Sequence, residues 1–291
     1  MAEPGGRVAH LWSIGIYEGE SPFRLRPLAG ANYPALSYRN VSDVAASFVA
    51  DPFMIRAGEG WHMFFEVMNR ETCRGEIGLA TSDDGLDWAY RQIVLREPYH
   101  LSYPHVFEWR DEFYMIPEAA LSNGVRLYKA TSFPAEWAFV ASLIEGDHAD
   151  ASIFYFEGRL WMFACSTPYK HDTLRLYFAD DLTGPWTEHP ASPIVSGDNR
   201  IARPGGRVLV MGDRVVRFTQ DCYSLYGNKV RAFEISELTT ARYREAETGE
   251  SPVLVASGAG WNRSGMHHID AHLMPGGQWI ACVDGFELVN D

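Results

Sequence analysis

A strand, a polar turn and a second strand recur five times along this chain in nearly constant register, and that recurrence restricts the fold more than any single residue does. The first copy runs Asp51-Pro52-Phe53-Met54-Ile55, then Gly58-Glu59-Gly60, then Trp61 to Glu66. The second is Tyr103-Pro104-His105-Val106-Phe107, Arg110-Asp111-Glu112 and Phe113 to Glu118, and the third spans Asp150 to Cys165. Pro52 and Glu66, Pro104 and Glu118, and Ala151 and Cys165 each stand 14 residues apart. The fourth copy, Arg203-Pro204 through Gln220-Asp221, is two residues longer, and the fifth, Asp270 to Asp284, returns to 14. Trp88, Trp137 and Trp186, spaced by 49, close a second motif between the hairpins. Four strands in roughly fifty residues make a propeller blade. The expected fold is therefore all-β, a five-bladed β-propeller.

Only seven residues follow Asp284, too few for the outer two strands of the fifth blade. The apolar stretch Val8 to Tyr17, followed by Ser21-Pro22-Phe23-Arg24-Leu25, has the character of an outer blade half. Residues 8–28 are accordingly expected to pair with residues 266–284 and complete the last blade, which removes an unpaired sheet edge. On this reading residues 1–291 form a single domain, with blades at about 40–92, 98–141, 146–190, 198–245 and 264–286 plus 8–28. Thr81-x-Asp83-x-Gly85-x-x-Trp88 fits the Asp-box corner of sialidase-type propellers, a structural turn in which the carboxylate ties the loop.

Composition narrows the function. With 25 basic against 38 acidic side chains the net charge is −13, which argues against nucleic acid or an anionic membrane as the main partner. No run of about 18 apolar residues exists, and Met1-Ala2-Glu3-Pro4-Gly5-Gly6 lacks the basic and apolar regions of a secretory signal, so a cytoplasmic location is expected. Cys73, Cys165, Cys222 and Cys282 form no CxxC pair, and most sit in apolar stretches, as buried thiols do. No GxSxG elbow, P-loop or dinucleotide fingerprint occurs, and no cofactor is indicated.

In a propeller the innermost strands line a central channel, so equivalent positions of the repeat meet at its mouth. Those positions hold Asp51, Tyr103 with His105, Asp150, Arg203, and His267, His268 and Asp270. Fourteen residues on stand Glu66, Glu118, Gln220 with Asp221, and Asp284. Crowded acids in a partly dry pocket raise one another's pKa, so that one stays protonated while another acts as base. That is the equipment of glycoside chemistry. Arg203 has two readings, a grip on an anionic group or an ion pair with Asp150 or Asp221. His268 and His272 lie about 13 Å apart on a straight strand and cannot chelate one ion. A channel-bound cation held by His267 or His268 with Asp270 and His105 stays open.

Five blades, the first-blade Ala50-Asp51-Pro52 and the third-blade Asp150 resemble the β-fructosidase and arabinanase superfamily, which includes the family 43-like glycoside hydrolases. The resemblance implies that Asp51 is the base or nucleophile and Asp150 the residue that orients it and tunes the acid. The later-blade glutamate that serves as proton donor in those enzymes has no counterpart, since the fourth blade offers Phe218-Thr219-Gln220-Asp221-Cys222, and Glu118 or Asp221 would have to substitute. Trp12 to Tyr17, Ala202-Arg203-Pro204-Gly205-Gly206-Arg207 and Gly265-Met266-His267-His268-Ile269-Asp270 are more similar to the propeller module of glucosamine inositolphosphorylceramide transferase-like proteins.

The expectation is a carbohydrate-active enzyme that cleaves or transfers a glycosyl group, with Asp51, Asp150 and Glu118 or Asp221 catalytic. His105, Arg203, Gln220, His267, His268, Asp270, Glu66 and Tyr103 would contact a small-molecule or glycan substrate, and a transferase partner is open. The alternatives are a non-catalytic propeller that binds a glycan or lipid headgroup, and a propeller recruited for non-glycosidic biosynthetic chemistry.

Overall fold

The computed structural model describes residues 8–290; the opening Met1 to Gly6 lies outside the described residues. Five antiparallel sheets follow one another around an axis. Blade I is Ala46–Ala57, Gly60–Asn69, Arg74–Ser82 and Ala89–Leu95. Blade II is Ser102–Trp109, Glu112–Glu118, Gly124–Ser132 and Glu136–Glu145. Blade III is Ala149–Phe156, Arg159–Cys165, Thr173–Ala179 and Thr187–Glu188, and in blade IV the inner strand is split into Arg203–Pro204 and Leu209–Met211 ahead of Arg214–Asp221, Lys229–Leu238 and Tyr243–Glu247. Among the described residues no helix is long and apolar enough to cross a membrane.

Blade V is completed from the other end of the chain. Ile269–Leu273 pairs with Trp279–Asn290, which pairs along its whole length with Val8–Gly19, from Val8 opposite Asn290 to Gly19 opposite Trp279. The clasp expected from the sequence is present, and its pairing continues past Asp284 to Asn290.

The apolar runs of the repeat are continuous because each sheet is covered on both faces by its neighbours. In Trp61-His62-Met63-Phe64-Phe65, alternation sends Phe64 into the cluster shared with blade II and Met63 and Phe65 into the one shared with blade V. Further clusters join blades II and III, III and IV, and IV and V, so the core is divided among the blade interfaces.

Trp88, Trp137 and Trp186 do the same work at three corners, each donating its indole N–H to a turn carbonyl, of Gly85, Pro134 and Leu182, at 3.0, 2.9 and 3.1 Å. The Asp-box corner differs from expectation in one residue. Asp84, not Asp83, ties the loop, accepting from the Leu86 and Asp87 N–H groups at 2.8 and 3.1 Å. All four cysteines are free thiols, and Cys165, Cys222 and Cys282 are buried.

The inner strands share a kink. Pairing slips between Ala50 and Phe53, Ser102 and His105, and Ala149 and Ser152, and the residue in each slip is left-handed: Asp51 at φ 53, Tyr103 at φ 45 and Asp150 at φ 54. These bulges re-aim one side chain per blade. Blade IV breaks instead at Gly206, whose φ of +139 allows a parallel bridge to Ile269.

Candidate functional site

The kinks bring Asp51 and Asp150 to the channel mouth, where Asp284, from the second strand of blade V, anchors the first of them. Asp284 Oδ2 accepts the Asp51 N–H at 2.9 Å, and Asp51 Oδ2 accepts the Tyr103 N–H at 3.2 Å. Asp51 Oδ1 has no hydrogen-bond partner, although the residue is only 6% exposed. Burial, opposed by His267 and reinforced by Asp284 and Asp150, pushes the Asp51 carboxyl up to about 7. Glu66, paired across the hairpin with Ala50, also keeps a buried oxygen, Oε1, without a partner. Its carboxyl is raised well above the usual range by burial and then by the Asp51 charge.

Arg203 is the hub of the other half. Its Nε donates to Asp150 Oδ2 at 2.5 Å, and Nη2 donates to Glu118 Oε2 at 2.8 Å and Asp150 Oδ1 at 3.3 Å. Nη1 donates to the Pro168 carbonyl at 3.2 Å and to His171 Nδ1 at 2.9 Å. The ion-pair reading of Arg203 is the one realised. Gln220 Nε2 adds a bond to Asp150 Oδ2 at 2.6 Å. Burial, with Arg203 opposing and Glu118 reinforcing, still lifts the Asp150 carboxyl to about 7.

His267 bridges two acids. Its Nδ1 lies 2.8 Å from Asp284 Oδ1 and its Nε2 3.7 Å from Asp51 Oδ1, while Trp12 of the clasp strand stacks on the ring at 4.0 Å. Burial opposes its charging, yet Asp284 and Asp51 raise its pKa, and against the cost of burial His267 in turn holds Asp284 low. One donor atom from each of Asp51, His267 and Asp284 lies within 4.8 Å of the others. Asp284 Oδ2 bonds the Asp51 N–H and Oδ1 bonds His267 Nδ1, while His267 Nε2 and Asp51 Oδ1 face each other without a hydrogen bond. His268, fully buried beside Phe53 and Tyr103, has both ring nitrogens unpartnered and its pKa pushed by burial down to about 4.

Above these groups opens a cavity of about 320 Å³ lined by His100, Glu118, Leu121, Pro168, Tyr169, His171, Arg203 and Tyr226.

Of the residues expected at the site, Asp51, Glu66, Glu118, Asp150, Arg203, Gln220, His267 and His268 come together. Tyr103 lies beneath them: its hydroxyl accepts the Gly206 N–H at 2.8 Å and lies 2.8 Å from Ser152 Oγ, closing the channel. Asp270 and His105 sit further along, around Arg207. Asp270 accepts from Arg207 Nε at 2.7 Å and from the Met54 N–H at 2.7 Å, His272 stands 3.0 Å away, and Arg207 Nη1 lies 3.3 Å from His105 Nε2. Asp221 is paired with Arg231 at 2.8 Å and accepts the Tyr223 N–H at 3.0 Å. Sequence reasoning passed over His100 and His171, which come from connecting segments where the repeat gives no register.

The fold is shared with several solved glycoside hydrolases. The arabinanase of Cellvibrio cellulosa superposes with a TM-score of 0.58 at 17% identity, covering 83% of this chain and 91% of that one. Zg3597, a family 117 glycoside hydrolase from Zobellia galactanivorans, gives 0.55 at 14% identity over 96% and 93%. At these identities the likeness shows the fold. The chain belongs to the family described as glucosamine inositolphosphorylceramide transferase 1, N-terminal, which matches residues 8–286. Glucosamine inositolphosphorylceramide transferase 1 of Oryza sativa subsp. japonica is 36% identical over 94% of this chain, and that of Arabidopsis thaliana is 34% identical over 94%. The chain spans about 40% of the length of these relatives.

Proposed function

We propose that the channel mouth is a carbohydrate-active site at which a glycosyl group is cleaved or transferred. The observation that carries this reading is Asp51, a buried carboxyl with one free oxygen, held by a backbone N–H on the other and titrating at about 7. A group so placed can take a proton near neutral pH. Asp150, fixed by Arg203 and Gln220, orients the site. The proton donor in this reading is Glu66, whose carboxyl burial raises well above the usual range and whose Oε1 has no hydrogen-bond partner, whereas Glu118 is tied to Arg203 and Asp221 to Arg231. The sugar named in the relatives' title supports a glycosyl substrate.

Asp51→Asn tests the assignment, because asparagine fits both the left-handed backbone and the space. On a substrate found by glycan screening, turnover should fall by roughly a hundredfold or more, the scale of losing general acid–base catalysis. Unchanged turnover would remove Asp51 from the mechanism. A second reading, a glycan-binding propeller without turnover, is favoured by one observation: Arg203 stands at the fourth-blade inner position and engages two of the acids. Saturable binding with no product from the unaltered chain would select it.

A further inference from the structure

The first strand of the chain reaches the channel mouth. Trp12 stands opposite Phe286 in the clasp pairing and packs with Ala50, the residue before Asp51. Its indole lies face to face with His267, the ring centroids 4.0 Å apart and the planes 23° from parallel. Tyr226 meets the same imidazole edge-on at 5.4 Å. Gly227 closes the stack, because a Cβ there would fall 2.6 Å from Trp12 Cη2 and 3.2 Å from His267 Cδ2. Asp284 Oδ1 holds Nδ1 of the ring at 2.8 Å. Fixed at one nitrogen and on one face, the buried ring directs Nε2 at Asp51 Oδ1, 3.7 Å away.

That distance decides what the pair can do. It is too long for a hydrogen bond, so Oδ1 stays free for a ligand, yet short enough for a charge on the imidazole to favour the carboxylate. Burial pushes the Asp51 carboxyl up, and His267 is the first influence that opposes it; Asp284 and Asp150 add to the rise and Arg203 opposes it. Glu66, raised first by burial, is raised further by the Asp51 charge. Burial opposes the charging of the His267 ring, while Asp284, Asp51 and Asp150 favour it. His10 and His268 feel that charge too, and burial above all holds both below the ordinary histidine value.

We propose that Trp12 is a positioning residue of the site: by holding the His267 ring with Nε2 aimed at Asp51 Oδ1, the strand that completes the fifth blade also sets how tightly the candidate base holds its proton. The inference rests on Asp51 as the acid–base group of the site and adds what tunes it. An indole face favours a cationic ring over a neutral one. Loss of the indole therefore acts on the two partners in opposite directions: His267 releases its proton more easily, and Asp51 keeps its own to higher pH.

NMR of the full chain, isotope-labelled at the aspartate carboxyls and histidine rings, follows both titrations directly, with Asp51→Asn and His267→Gln supplying the assignments. His267→Gln marks the limit: the Asp51 titration should rise by about one pH unit or more, tenfold in proton affinity, the scale of losing an opposite charge at this range. Trp12→Leu and Trp12→Met should move Asp51 up by part of that amount and His267 down, a paired displacement that loss of packing alone would not produce. Trp12→Phe keeps an aromatic face and should leave both titrations near their original positions. Amide spectra with native dispersion identify the folded variants, and His267→Gln keeps the test open where a Trp12 variant does not fold. An Asp51 titration unmoved in His267→Gln, or unmoved in a folded Trp12→Leu or Trp12→Met, overturns the inference and leaves the role of Asp51 standing; so does an equal displacement in Trp12→Phe. Asp51 titrating in the ordinary carboxylate range in the unaltered chain overturns its reading as the base, and this inference with it.

Discussion

Replacing Arg203 with methionine keeps an unbranched side chain of similar length and removes the charge that holds the mouth together. Two of its hydrogen bonds run to Asp150 and one to Glu118, all in a region where Asp150 is 1% exposed. Stripping the partner from a buried ion pair costs about 3–5 kcal/mol, because the remaining charge stays desolvated. The cost depends on pH. Asp150 titrates at about 7 in the intact site, above its ordinary 3.8, so the folded protein holds that proton over a range where the unfolded chain has lost it. At pH 8 Asp150 is ionised and loses its counter-ion, and the full penalty applies. At pH 5.5 it is neutral in both proteins, and the loss shrinks to the bonds with Glu118, Pro168 and His171 and to packing, about 1–3 kcal/mol. Urea denaturation at the two pH values should show this difference. The pH 8 loss corresponds to a fall in Tm of roughly 6–20 °C for a chain of this size. Adding Asp150→Asn should recover much of the pH 8 loss and little of the pH 5.5 loss. Equal destabilisation at both pH values, or none at pH 8, would refute the claim that charge pairing holds the mouth.

For the unaltered protein, Asp51 and Asp150 both titrate at about 7 when folded against 3.8 ordinarily, so stability should decline as pH rises from about 4 through about 7; denaturant midpoints at fixed ionic strength measure this, and Asp51→Asn should flatten the decline. Gly206→Ala should be among the most damaging substitutions, since a Cβ there would lie 1.8 Å from the Ile269 carbonyl oxygen at a φ of +139; a change of Tm under about 2 °C, the shift expected of roughly 0.5–1 kcal/mol, would mean that the blade IV to blade V bridge is dispensable. Tyr103→Phe removes a hydroxyl that accepts from Gly206 and meets Ser152, leaving the buried Gly206 N–H without a partner at a cost of about 1–3 kcal/mol, readable by chemical denaturation.

The blades and their closure were legible because a sheet buried on both faces must keep its hairpin register: the equal 14-residue spacing of Pro52 and Glu66 and of Pro104 and Glu118 returns as equivalent pairing in the two hairpins, Ala50 opposite Glu66 and Ser102 opposite Glu118. The clasp followed from simple counting. Within the site, the repeat identified which residues approach the axis but not how deep each one sits. Asp270 and His105 share the inner strands with Asp51 and Tyr103, and only the Met54 N–H and Arg207 show that they belong to a second cluster. Asp284 was open to a plain structural reading, though it stands where Glu66 and Glu118 stand in their blades and anchors both Asp51 and His267. His100 and His171 come from connections, whose conformation no periodicity fixes.

The three kinked positions bear on what the site is for. A left-handed residue outside glycine costs of order 1–3 kcal/mol, and asparagine and aspartate bear it best. Asp51 and Asp150 could therefore occupy the kinks at little cost whatever their role, and their backbone conformation alone says nothing about function. Tyr103 is different, because a bulky aromatic at φ 45 is an outlier. Its ring and hydroxyl compensate for the strain by filling the axis and tying blades II, III and IV beneath the acids. The backbone strain at blade II thus maintains a floor, and the free oxygens of Asp51 and Glu66 lie at the mouth side of that floor. Those two buried oxygens have no hydrogen-bond partner, and in the carbohydrate reading proposed above they are the atoms that a substrate would bond.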